Sequence, residues 1–269
     1  MHARLKLVTV AAAATIFAIA VVAARAVKAP AGIAGAGTIV FCSDLGYPPM
    51  ESLRGSRPVG ADVDIGAAIA KRMGVRPQFS NVGFDGIIAA LLAKKCDAIL
   101  SGMTDTAQRR KQVDFTDYLM VGMSLMVRKG NPQHVSGLAS LSGLRVAAQV
   151  GTVEKDALAV ENKLFAKQHR KLVVIKLFSK DADAAAALIT GKVDVYFSDD
   201  PPVGYYVKQS GGKFEVAADK IKAAPYGIAT RRHDPLGPAF QKAIAQLYAN
   251  GTMKSILAKW GLSAFALAG

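Results

Sequence analysis

Short apolar runs alternate along this chain with segments in which apolar side chains recur every three or four residues. The short runs predict β-strands, and the periodic segments predict amphipathic helices. Strands and helices that alternate at this spacing favour a parallel sheet with right-handed crossovers, and such a sheet binds ligands beyond the carboxyl ends of its strands. In the first half, the predicted strands cover 38–43, 76–80 and 97–100, and the predicted helices cover 62–73 and 85–95.

The second half of the chain repeats this alternation. Two further apolar segments, 123–128 and 223–230, predict strands that cross from one unit to the other. Helices predicted at 238–249 and up to Trp260 are expected to pack on the first unit. The whole pattern favours two α/β lobes with a hinged cleft between them. The strands and helices of the second unit are predicted at 145–149, 152–167, 172–178, 181–190 and 193–197.

Residues 1–26 have the pattern of a secretory signal peptide. Arg4 and Lys6 precede an apolar run from 7 to 24, and a small-x-small site follows at 24–26. An uncleaved membrane anchor is the alternative, because the run is just long enough to span a bilayer. A second cleavage site is available at Ala36. We expect cleavage of the signal peptide and a periplasmic location for the protein.

The charge balance is strongly basic, with 34 Lys and Arg against 20 Asp and Glu and a formal net charge of +14. Such a balance is compatible with nucleic-acid binding. The basic residues are scattered, however, and cluster only at 109–111 and 231–232. We therefore expect a solvated basic surface and no nucleic-acid partner.

The two cysteines, Cys42 and Cys96, are open to two interpretations. An oxidising compartment would permit a disulfide between them. Cys42 lies late in one predicted strand, however, and Cys96 lies just before another, so that parallel neighbours would place the sulfurs at different heights. We expect two small buried apolar side chains. No spacing typical of a metal site or of a Cys–His pair occurs, and we expect neither a metal nor a cofactor.

Polar residues follow the predicted strands and suggest a binding site. After the strand at 97–100, a polar loop leads to a helix that is predicted to open at Thr106 and to carry Arg109 in its first turn. A fixed guanidinium beside exposed helix N–H groups is a receptor for a small carboxylate. The sequence thus predicts a site for a small anionic or zwitterionic molecule. Other polar strand ends lie at 44–47, 101–104, 149–152 and 198–201.

A set of short motifs resembles one protein family when taken in order. The motifs are Asp44-x-x-Tyr47-x-Pro49-x-Glu51, Gly60-x-Asp62-x-Asp64-Ile65, Phe84-x-Gly86-Ile87-Ile88-x-Ala90-Leu91, Ser101-Gly102-Met103-Thr104-x-Thr106-x-x-Arg109, Asp114-Phe115-Thr116, Gly151-Thr152, the stretch 194–201, and Asn250-Gly251-Thr252 followed by Lys259-Trp260. The chain resembles the periplasmic polar-amino-acid-binding proteins of ABC importers. Ala89 and Ala107 depart from the family pattern, since a proline is frequent at both positions.

The resemblance implies roles for the polar residues. Arg109 would form a bidentate pair with the α-carboxylate of the ligand. Thr104 would add a hydroxyl, and Gly102 would add a backbone group. Asp199 would accept a hydrogen bond from the α-ammonium, while Asp44 would meet either that ammonium or a cationic side chain. The structural alternatives are a surface arginine for Arg109, turn or loop-capping roles for the two aspartates, and a local turn bond for Thr104.

Other residues would line the side-chain end of the site. Tyr47 and Phe84 would stack on the ligand, although lone aromatic residues usually belong to a core. Gln149 and Ser198 occupy variable pocket positions, and Thr152 would begin a helix or serve as a plain N-cap. Glu51 is interpreted as structural. The predicted ligand-binding set is Asp44, Tyr47, Phe84, Ser101, Gly102, Thr104, Arg109, Gln149, Thr152, Ser198 and Asp199.

The implied fold class is α/β, namely a two-lobed type II periplasmic binding protein. Each lobe would be a mostly parallel sheet flanked by helices, and two hinge strands would join the lobes. Lobe 1 is predicted over 38–125 and 226–269, and lobe 2 over 128–222. The resemblance implies a monomer that binds a free amino acid with high affinity, closes around it, and delivers it to an ABC permease and its ATPase.

We expect no catalysis, and a polar or cationic amino acid is the favoured ligand. The alternative is an enzyme of the cyclohexadienyl dehydratase type, acting on prephenate or arogenate on the same fold. Such an enzyme needs an acid of raised pKa in the cleft. A sensor-type binding module is a third class. The sequence does not choose the side chain of the ligand.

Overall fold

The computed structural model describes residues 26–267. The predicted signal peptide therefore lies outside the described residues, except for Ala26. Within the described part of the chain, no helix combines the length and the hydropathy needed to cross a bilayer. The strands are β1 (Thr38–Ser43), β2 (Gly46–Tyr47), β3 (Glu51–Arg54), β4 (Arg57–Val59), β5 (Arg76–Asn81), β6 (Ala98–Ile99), β7 (Val113–Arg128), β8 (Arg145–Gln149), β9 (Val174–Phe178), β10 (Val195–Asp199) and β11 (Phe214–Arg231).

Eight α-helices are described within the same residues. The helices are α1 (Ala31–Ala36), α2 (Ala61–Met73), α3 (Ile87–Leu92), α4 (Val153–Lys167), α5 (Asp181–Ile189), α6 (Asp200–Gln209), α7 (Leu236–Ala249) and α8 (Thr252–Trp260). Both C-terminal helices, α7 and α8, contact α2, in agreement with their predicted packing on the first unit.

The main sheet has eight strands in the order β5-β1-β6-β11-β7-β10-β8-β9. Strands β5, β1 and β6 are parallel at one end, and β10, β8 and β9 are parallel at the other. The long strands β7 and β11 pair antiparallel in the centre. They contain the predicted crossing segments, and each is long enough to belong to both halves of the molecule. Register shifts interrupt their pairing between Val216 and Ala224.

Two α/β lobes therefore lie on either side of the paired long strands. Ile39, Phe41 and Ile65 belong to the core of the first lobe, which α2, α7 and α8 cover on one face. Val146, Leu158 and Phe165 belong to a core of the second lobe under α4. Because parallel strands end at the same edge, the carboxyl ends of β1 and β8 face each other across the space between the lobes.

Several local predictions are wrong. The segment opened by Thr106 does not form an α-helix: Arg109 instead begins a 3₁₀ turn, Arg109–Lys111. Asp62 does not cap α2, because Gly60 holds that position with φ of 144°. A Cβ on Gly60 would lie 2.1 Å from the carbonyl oxygen of Met50, so only glycine allows this close approach. The small sheet β2-β3-β4 was not predicted.

The expectation for the cysteines is also wrong, because Cys42 and Cys96 form a disulfide. Strand β1 does pair in parallel with β6, and Cys42 lies opposite Ile99. The chain bends at 95–97 instead of continuing extended. Asp97 donates its backbone N–H to the carbonyl of Val40. This bend brings the Cα of Cys96 to 5.7 Å from that of Cys42, so the expected difference in height disappears.

Candidate functional site

A pocket lies where the strand ends of the two lobes meet. Nine of the eleven predicted ligand-binding residues line it. The lining residues are Asp44, Tyr47, Glu51, Phe84, Gly102, Thr104, Arg109, Gln149, Thr152, Val153, Glu154 and Asp199. The fold thus brings together predicted residues that lie as much as 155 positions apart in the chain, from Asp44 to Asp199.

The two remaining predicted residues do not line the pocket. The Ser101 hydroxyl donates to Oε1 of Glu51 at 2.7 Å and accepts the backbone N–H of Asp44. The Ser198 hydroxyl donates to Asp181 on α5 at 3.0 Å. Both serines are buried and support the elements that carry pocket residues.

Arg109 is the cationic residue of the pocket. Its guanidinium donates to the carbonyl of Thr104 at 2.6 Å and to that of Gly151 in the second lobe at 3.1 Å. It also lies 5.4 Å from the centre of the Phe84 ring. Among the described residues, no carboxylate lies within 4 Å of it. Burial lowers the pKa of Arg109, and nearby Asp199 opposes that change.

Asp199, at the end of β10, faces two phenols of the first lobe and the central strands. It accepts hydrogen bonds from Tyr47 at 2.7 Å and from Tyr226 at 2.5 Å. Burial raises the pKa of Asp199, and the two phenolic donors counteract this shift. Tyr47 therefore has a polar partner across the cleft as well as a place in the pocket wall.

Asp44, at the end of β1, meets the second lobe through Gln149. The amide of Gln149 donates to Oδ2 of Asp44 at 2.7 Å and also to the carbonyl of Ser179 at 3.1 Å. Burial raises the pKa of Asp44, while the bond from Gln149 lowers it. Thr152 precedes α4, and its hydroxyl donates to the carbonyl of Gln149 at 2.8 Å. Gln149 and Thr152 therefore form one local unit.

Two acidic residues add to the predicted site. Glu51, interpreted from sequence as structural, lines the pocket and is fully buried, and its Oε2 has no hydrogen-bond partner among the described residues. Glu154 lies in the first turn of α4 and is 2% exposed, and its Oε1 likewise has no partner within 26–267. Burial raises the pKa of both groups well above the usual range, with Asp62 adding to the effect on Glu51 and Asp199 adding to that on Glu154.

Glu154 was missed because a glutamate in the first turn of a helix is ordinary in sequence. Its position two residues after Thr152 was the available signal. Val153, which also lines the pocket, carries no chemical signal.

A second layer of polar groups supports the pocket from the first lobe. Asp62 accepts the backbone N–H of Gly102 at 2.8 Å and the hydroxyl of Tyr118 at 2.9 Å. Burial raises the pKa of Asp62 to about 6. This carboxylate fixes the loop that carries Gly102 and connects it to strand β7, which continues into the other lobe.

The lobes are in contact around the pocket, and the space left in it for a water-sized probe measures about 10 Å³. That volume is about what a single water molecule needs. The side chains of Asp44, Arg109 and Asp199 form hydrogen bonds with residues of the other lobe or of the central strands. A larger molecule must replace some of these contacts, which requires the lobes to move apart. Within residues 26–267, no group of His, Cys, Asp or Glu side chains is arranged to hold a metal ion.

Comparison with known families identifies the architecture. The model of the bacterial extracellular solute-binding proteins, family 3, matches residues 39–263. This chain belongs to that family. The match covers both lobes of the solute-binding protein and every residue of the pocket. It agrees with the family resemblance inferred from the motifs.

Relatives of this solute-binding protein are named for amino-acid binding. It is 27% identical over 231 residues to the arginine-binding extracellular protein ArtP of Bacillus subtilis (strain 168), with 84% of this chain and 87% of ArtP covered. An ancestral arginine-binding protein bound to arginine matches with a TM-score of 0.77 at 32% identity, and covers 83% of this chain and 98% of its own.

A further solved structure bears on the enzyme alternative. The ancestral amino acid-binding protein AncCDT-1, a precursor of cyclohexadienyl dehydratase, matches with a TM-score of 0.77 at 30% identity, covering 85% of this chain and 97% of its own. These named relatives of the solute-binding protein are binding proteins rather than enzymes. The predicted fold class, a two-lobed type II periplasmic binding protein, is confirmed.

Proposed function

We propose that this protein binds a free cationic amino acid in the periplasm and presents it to an ABC importer. The observation that carries the proposal is the charge of the pocket lining. Among the described lining residues, the guanidinium of Arg109 stands with the carboxyl groups of Asp44 and Asp199, while burial raises the pKa of Glu51 and Glu154 well above the usual range and so favours their neutral forms. A ligand with one carboxylate and two cationic groups complements this set better than a neutral or an acidic amino acid.

Arg109 is the group that would receive the α-carboxylate. It is half-buried and, among the described residues, has backbone carbonyls but no carboxylate as partners. A guanidinium forms stronger, bidentate bonds with a carboxylate than with a carbonyl. The Thr104 side chain and the Gly102 backbone line the same pocket and would add hydrogen bonds to that carboxylate.

Asp199 and Asp44 would receive the two cationic groups. Asp199 is close enough to Arg109 to affect its pKa, which suits an α-ammonium adjacent to an α-carboxylate. Asp44 bonds to Gln149 and lies in the wall shared with Phe84, where a cationic side chain could contact both a carboxylate and an aromatic ring. Leaving either aspartate unpaired would cost about 2–5 kcal/mol.

Closure of the lobes would complete the site. The bonds from Tyr47 to Asp199, from Gln149 to Asp44 and from Arg109 to Gly151 join surfaces that separate when the cleft opens. The predicted division is lobe 1 over 38–125 and 226–269 and lobe 2 over 128–222. We place the hinge within the long strands near 121–123 and 221–226, because Val121 and Tyr226 pack in the core of lobe 1 while Met123 and Ile221 pack with that of lobe 2. A ligand that binds both lobes shifts the open–closed equilibrium toward the closed form.

The remaining parts of the proposal concern location and partners. The signal pattern of residues 1–26 supports secretion, and the family is described as extracellular. We propose that the closed protein docks as a monomer on a membrane permease, with an ATPase supplying the energy for import. The ligand-bound relative supports arginine as the first candidate ligand.

Calorimetric titration tests this function. The protein is unfolded and refolded to remove carried ligand, and then titrated with arginine, lysine, ornithine, histidine, glutamine, glutamate and prephenate. We expect the cationic amino acids to bind at least tenfold more tightly than glutamine and glutamate. Equal or tighter binding of glutamate would contradict the assignment, because it would add a negative charge beside Asp44.

One structural observation favours the alternative function, a dehydratase. The sequence-based criterion was a cleft acid of raised pKa, and Glu51 and Glu154 both meet it. Prephenate incubated with the protein should nevertheless yield no phenylpyruvate absorbance above the uncatalysed rate. Turnover that is lost in Glu51→Gln or Glu154→Gln would favour the enzyme.

A further inference from the structure

The second lobe has an end that faces away from the pocket. Since β8, β9 and β10 are parallel and lead toward the pocket, their first residues lie at the opposite end. Helices α4 and α5 run back from the pocket side and finish there. Strand β7 ends at the same level, where Arg128 pairs with Phe214 at the start of β11. We call this end, formed by the segments 128–145, 161–176, 186–195 and 211–216, the distal pole.

The distal pole exposes large apolar side chains. Five are exposed by more than two-fifths of their surface, and they come from α4, the loop before β9, β9 itself, α5 and β11. They are Leu164 (43%), Leu172 (49%), Val174 (45%), Ile189 (55%) and Val216 (42%). Because they are spread over five segments rather than gathered on one, a single groove-filling peptide does not account for them.

The same pole carries an excess of basic side chains. Between 161 and 176, five Lys and Arg residues face one acidic residue, Glu161. Two ion pairs at the pole, Lys129–Glu215 and Arg145–Asp194, neutralise its other acidic residues. In the part of the chain that the structure describes, the other eight Lys and Arg residues of the pole have no carboxylate within 4 Å. They are Arg128, Lys163, Lys167, Arg170, Lys171, Lys176, Lys192 and Lys213.

We propose that the distal pole binds the surface of an anionic lipid bilayer. Exposed apolar side chains can enter the boundary between headgroups and acyl chains, while lysine ammonium groups remain at the level of the lipid phosphates. Unpaired cations add attraction to an anionic leaflet. A fluid surface accommodates apolar side chains distributed over several segments, whereas a folded acidic protein would need a matching shape.

Because the distal pole lies far from the pocket, a protein bound to a bilayer through the pole can still bind its ligand. The pocket lies at the carboxyl ends of the parallel strands, and the pole lies at their first residues. A bilayer on the pole would contact only the far ends of β7 and β11 and would cover neither the cleft nor the hinge. Lipid binding would hold the protein close to a membrane while its cleft exchanges ligand. It requires no amino acid in the pocket and stands independently of the proposed function.

Vesicle sedimentation tests the proposal. Protein purified after export is mixed with vesicles of phosphatidylcholine containing 30% phosphatidylglycerol, and in parallel with phosphatidylcholine alone. The test variant carries Lys163→Gln, Lys167→Gln and Lys171→Gln. The control carries Lys95→Gln, Lys242→Gln and Lys254→Gln, three exposed lysines of the first lobe, and so loses the same charge.

We expect the protein to sediment with the anionic vesicles and not with the neutral ones. The distal variant should lose roughly a hundredfold in partition, at about fivefold for each charge removed, and the control variant less than tenfold. Leu172→Ser with Ile189→Ser should weaken sedimentation while leaving all charges in place. Circular dichroism establishes that each variant is folded.

Three outcomes would overturn the proposal. Equal losses in the distal and control variants would mean that net charge alone drives adsorption. Equal binding to neutral vesicles would remove the charge argument. Absence of binding to anionic vesicles at low salt would reject a lipid partner and would favour an acidic protein as the binding partner of the distal pole. Arginine titration of the same samples reports separately on the pocket.

Discussion

The side-chain amide of Gln149 donates a 2.7 Å hydrogen bond to the carboxylate of Asp44, and so joins the ends of β8 and β1 from opposite lobes. The carboxylate has a neutral donor in this arrangement. A ligand guanidinium or ammonium at the same place would supply a charged donor, and charge-assisted hydrogen bonds are roughly twice as strong as neutral ones. The exchange of one donor for the other would favour a cationic ligand.

Asp44→Asn should therefore reduce the affinity for arginine by about 2 kcal/mol or more, because it removes the negative charge that the ligand side chain would meet. The affinity for glutamine should change much less, since a neutral side chain does not depend on that charge. Calorimetric titration with both amino acids measures the difference.

Asp85→Asn is the matched control for that change. Asp85 lies on the same side of the cleft but is exposed, so its charge is screened by solvent. Its loss should alter arginine binding by less than a factor of three. If Asp44→Asn and the control behave alike, Asp44 is not the receptor of the cationic side chain.

Arg109→Ala should abolish binding of every amino acid tested, since each carries an α-carboxylate. Removing one partner of a buried charge pair costs about 2–5 kcal/mol. Arg109→Lys should recover only part of the loss, because an ammonium cannot form the bidentate pair. Equilibrium dialysis with labelled ligand measures weak binding directly.

The neighbouring residue supplies a control for Arg109. The Arg110 side chain is exposed and forms an ion pair with Asp105, whose side chain is buried outside the pocket. Arg110→Ala should leave the dissociation constant within a factor of two of the original. Tight binding by a folded Arg109→Ala variant would remove Arg109 from the site.

The sequence predicted most of the regular elements because their apolar periodicity is strong. Strand β8 was predicted at its observed bounds, 145–149, since five residues with a buried face lie between turn signals. The pocket residues at strand ends were predicted for a topological reason: ends of parallel strands meet at one edge. Contacts between the lobes, such as that of Tyr47 with Asp199, depend on the hinge and leave no local pattern.

Other structural features were not predicted, because each depends on a single bend of the chain or on a single glycine. The bend at 95–97 brought the two cysteines together, although strand pairing alone placed them apart. Because Gly60 is the N-cap, α2 begins at Ala61, and Asp62 accepts a hydrogen bond from the backbone N–H of Gly102 instead of capping the helix. Glu154 entered the pocket through the rotation of α4, which the sequence alone did not fix.

The disulfide should contribute measurably to stability. It closes a loop with a sequence separation of 54 residues. The chain-entropy model gives roughly 4 kcal/mol for a loop of that length, and native disulfides typically contribute 2–4 kcal/mol. Urea unfolding of Cys42→Ala with Cys96→Ala should show a loss in this range.

Reduction gives the corresponding control. Dithiothreitol should lower the free energy of unfolding of the original protein by a similar amount and should leave the double variant unchanged. Intact mass after alkylation without reduction should show no added label. Two alkylated cysteines in the folded, exported protein would contradict the disulfide.

Asp181 should make the ligand-free protein less stable as the pH rises. It is buried under Tyr196 and Ser198, and burial raises its pKa to about 7, against about 3.9 in an unfolded chain. Between these values the native state binds the proton and the unfolded state does not. Stability is therefore greatest near pH 4 with respect to this group, and falls until the pH passes about 7.

The loss of stability due to Asp181 is at most about 4 kcal/mol. Asp62 acts in the same direction, with a pKa of about 6, while Asp194, whose pKa is lowered by its bond to Arg145, acts in the opposite one. Thermal unfolding at pH 5 and pH 8 should show a smaller difference in Asp181→Asn than in the original protein. Asp183→Asn, on the exposed face of the same helix, should keep the full difference.

Gly151 lies where the lobes touch, and a side chain there should oppose closure. Its φ is +80°, and a Cβ would lie 3.1 Å from the Cα of Asp85 in the other lobe. Gly151→Ala therefore combines local backbone strain with a contact that only the closed form makes. Gly130 has the same φ of +80°, and no described atom lies within 4 Å of a Cβ there, so Gly130→Ala carries the strain alone. Both variants should lose about 1 kcal/mol of unfolding free energy. Only Gly151→Ala should bind arginine more weakly, by tenfold or more. At saturating arginine, X-ray scattering should also show a more open particle for Gly151→Ala alone. Equal affinities in the two variants would mean that the lobes do not meet at Gly151 in the bound state.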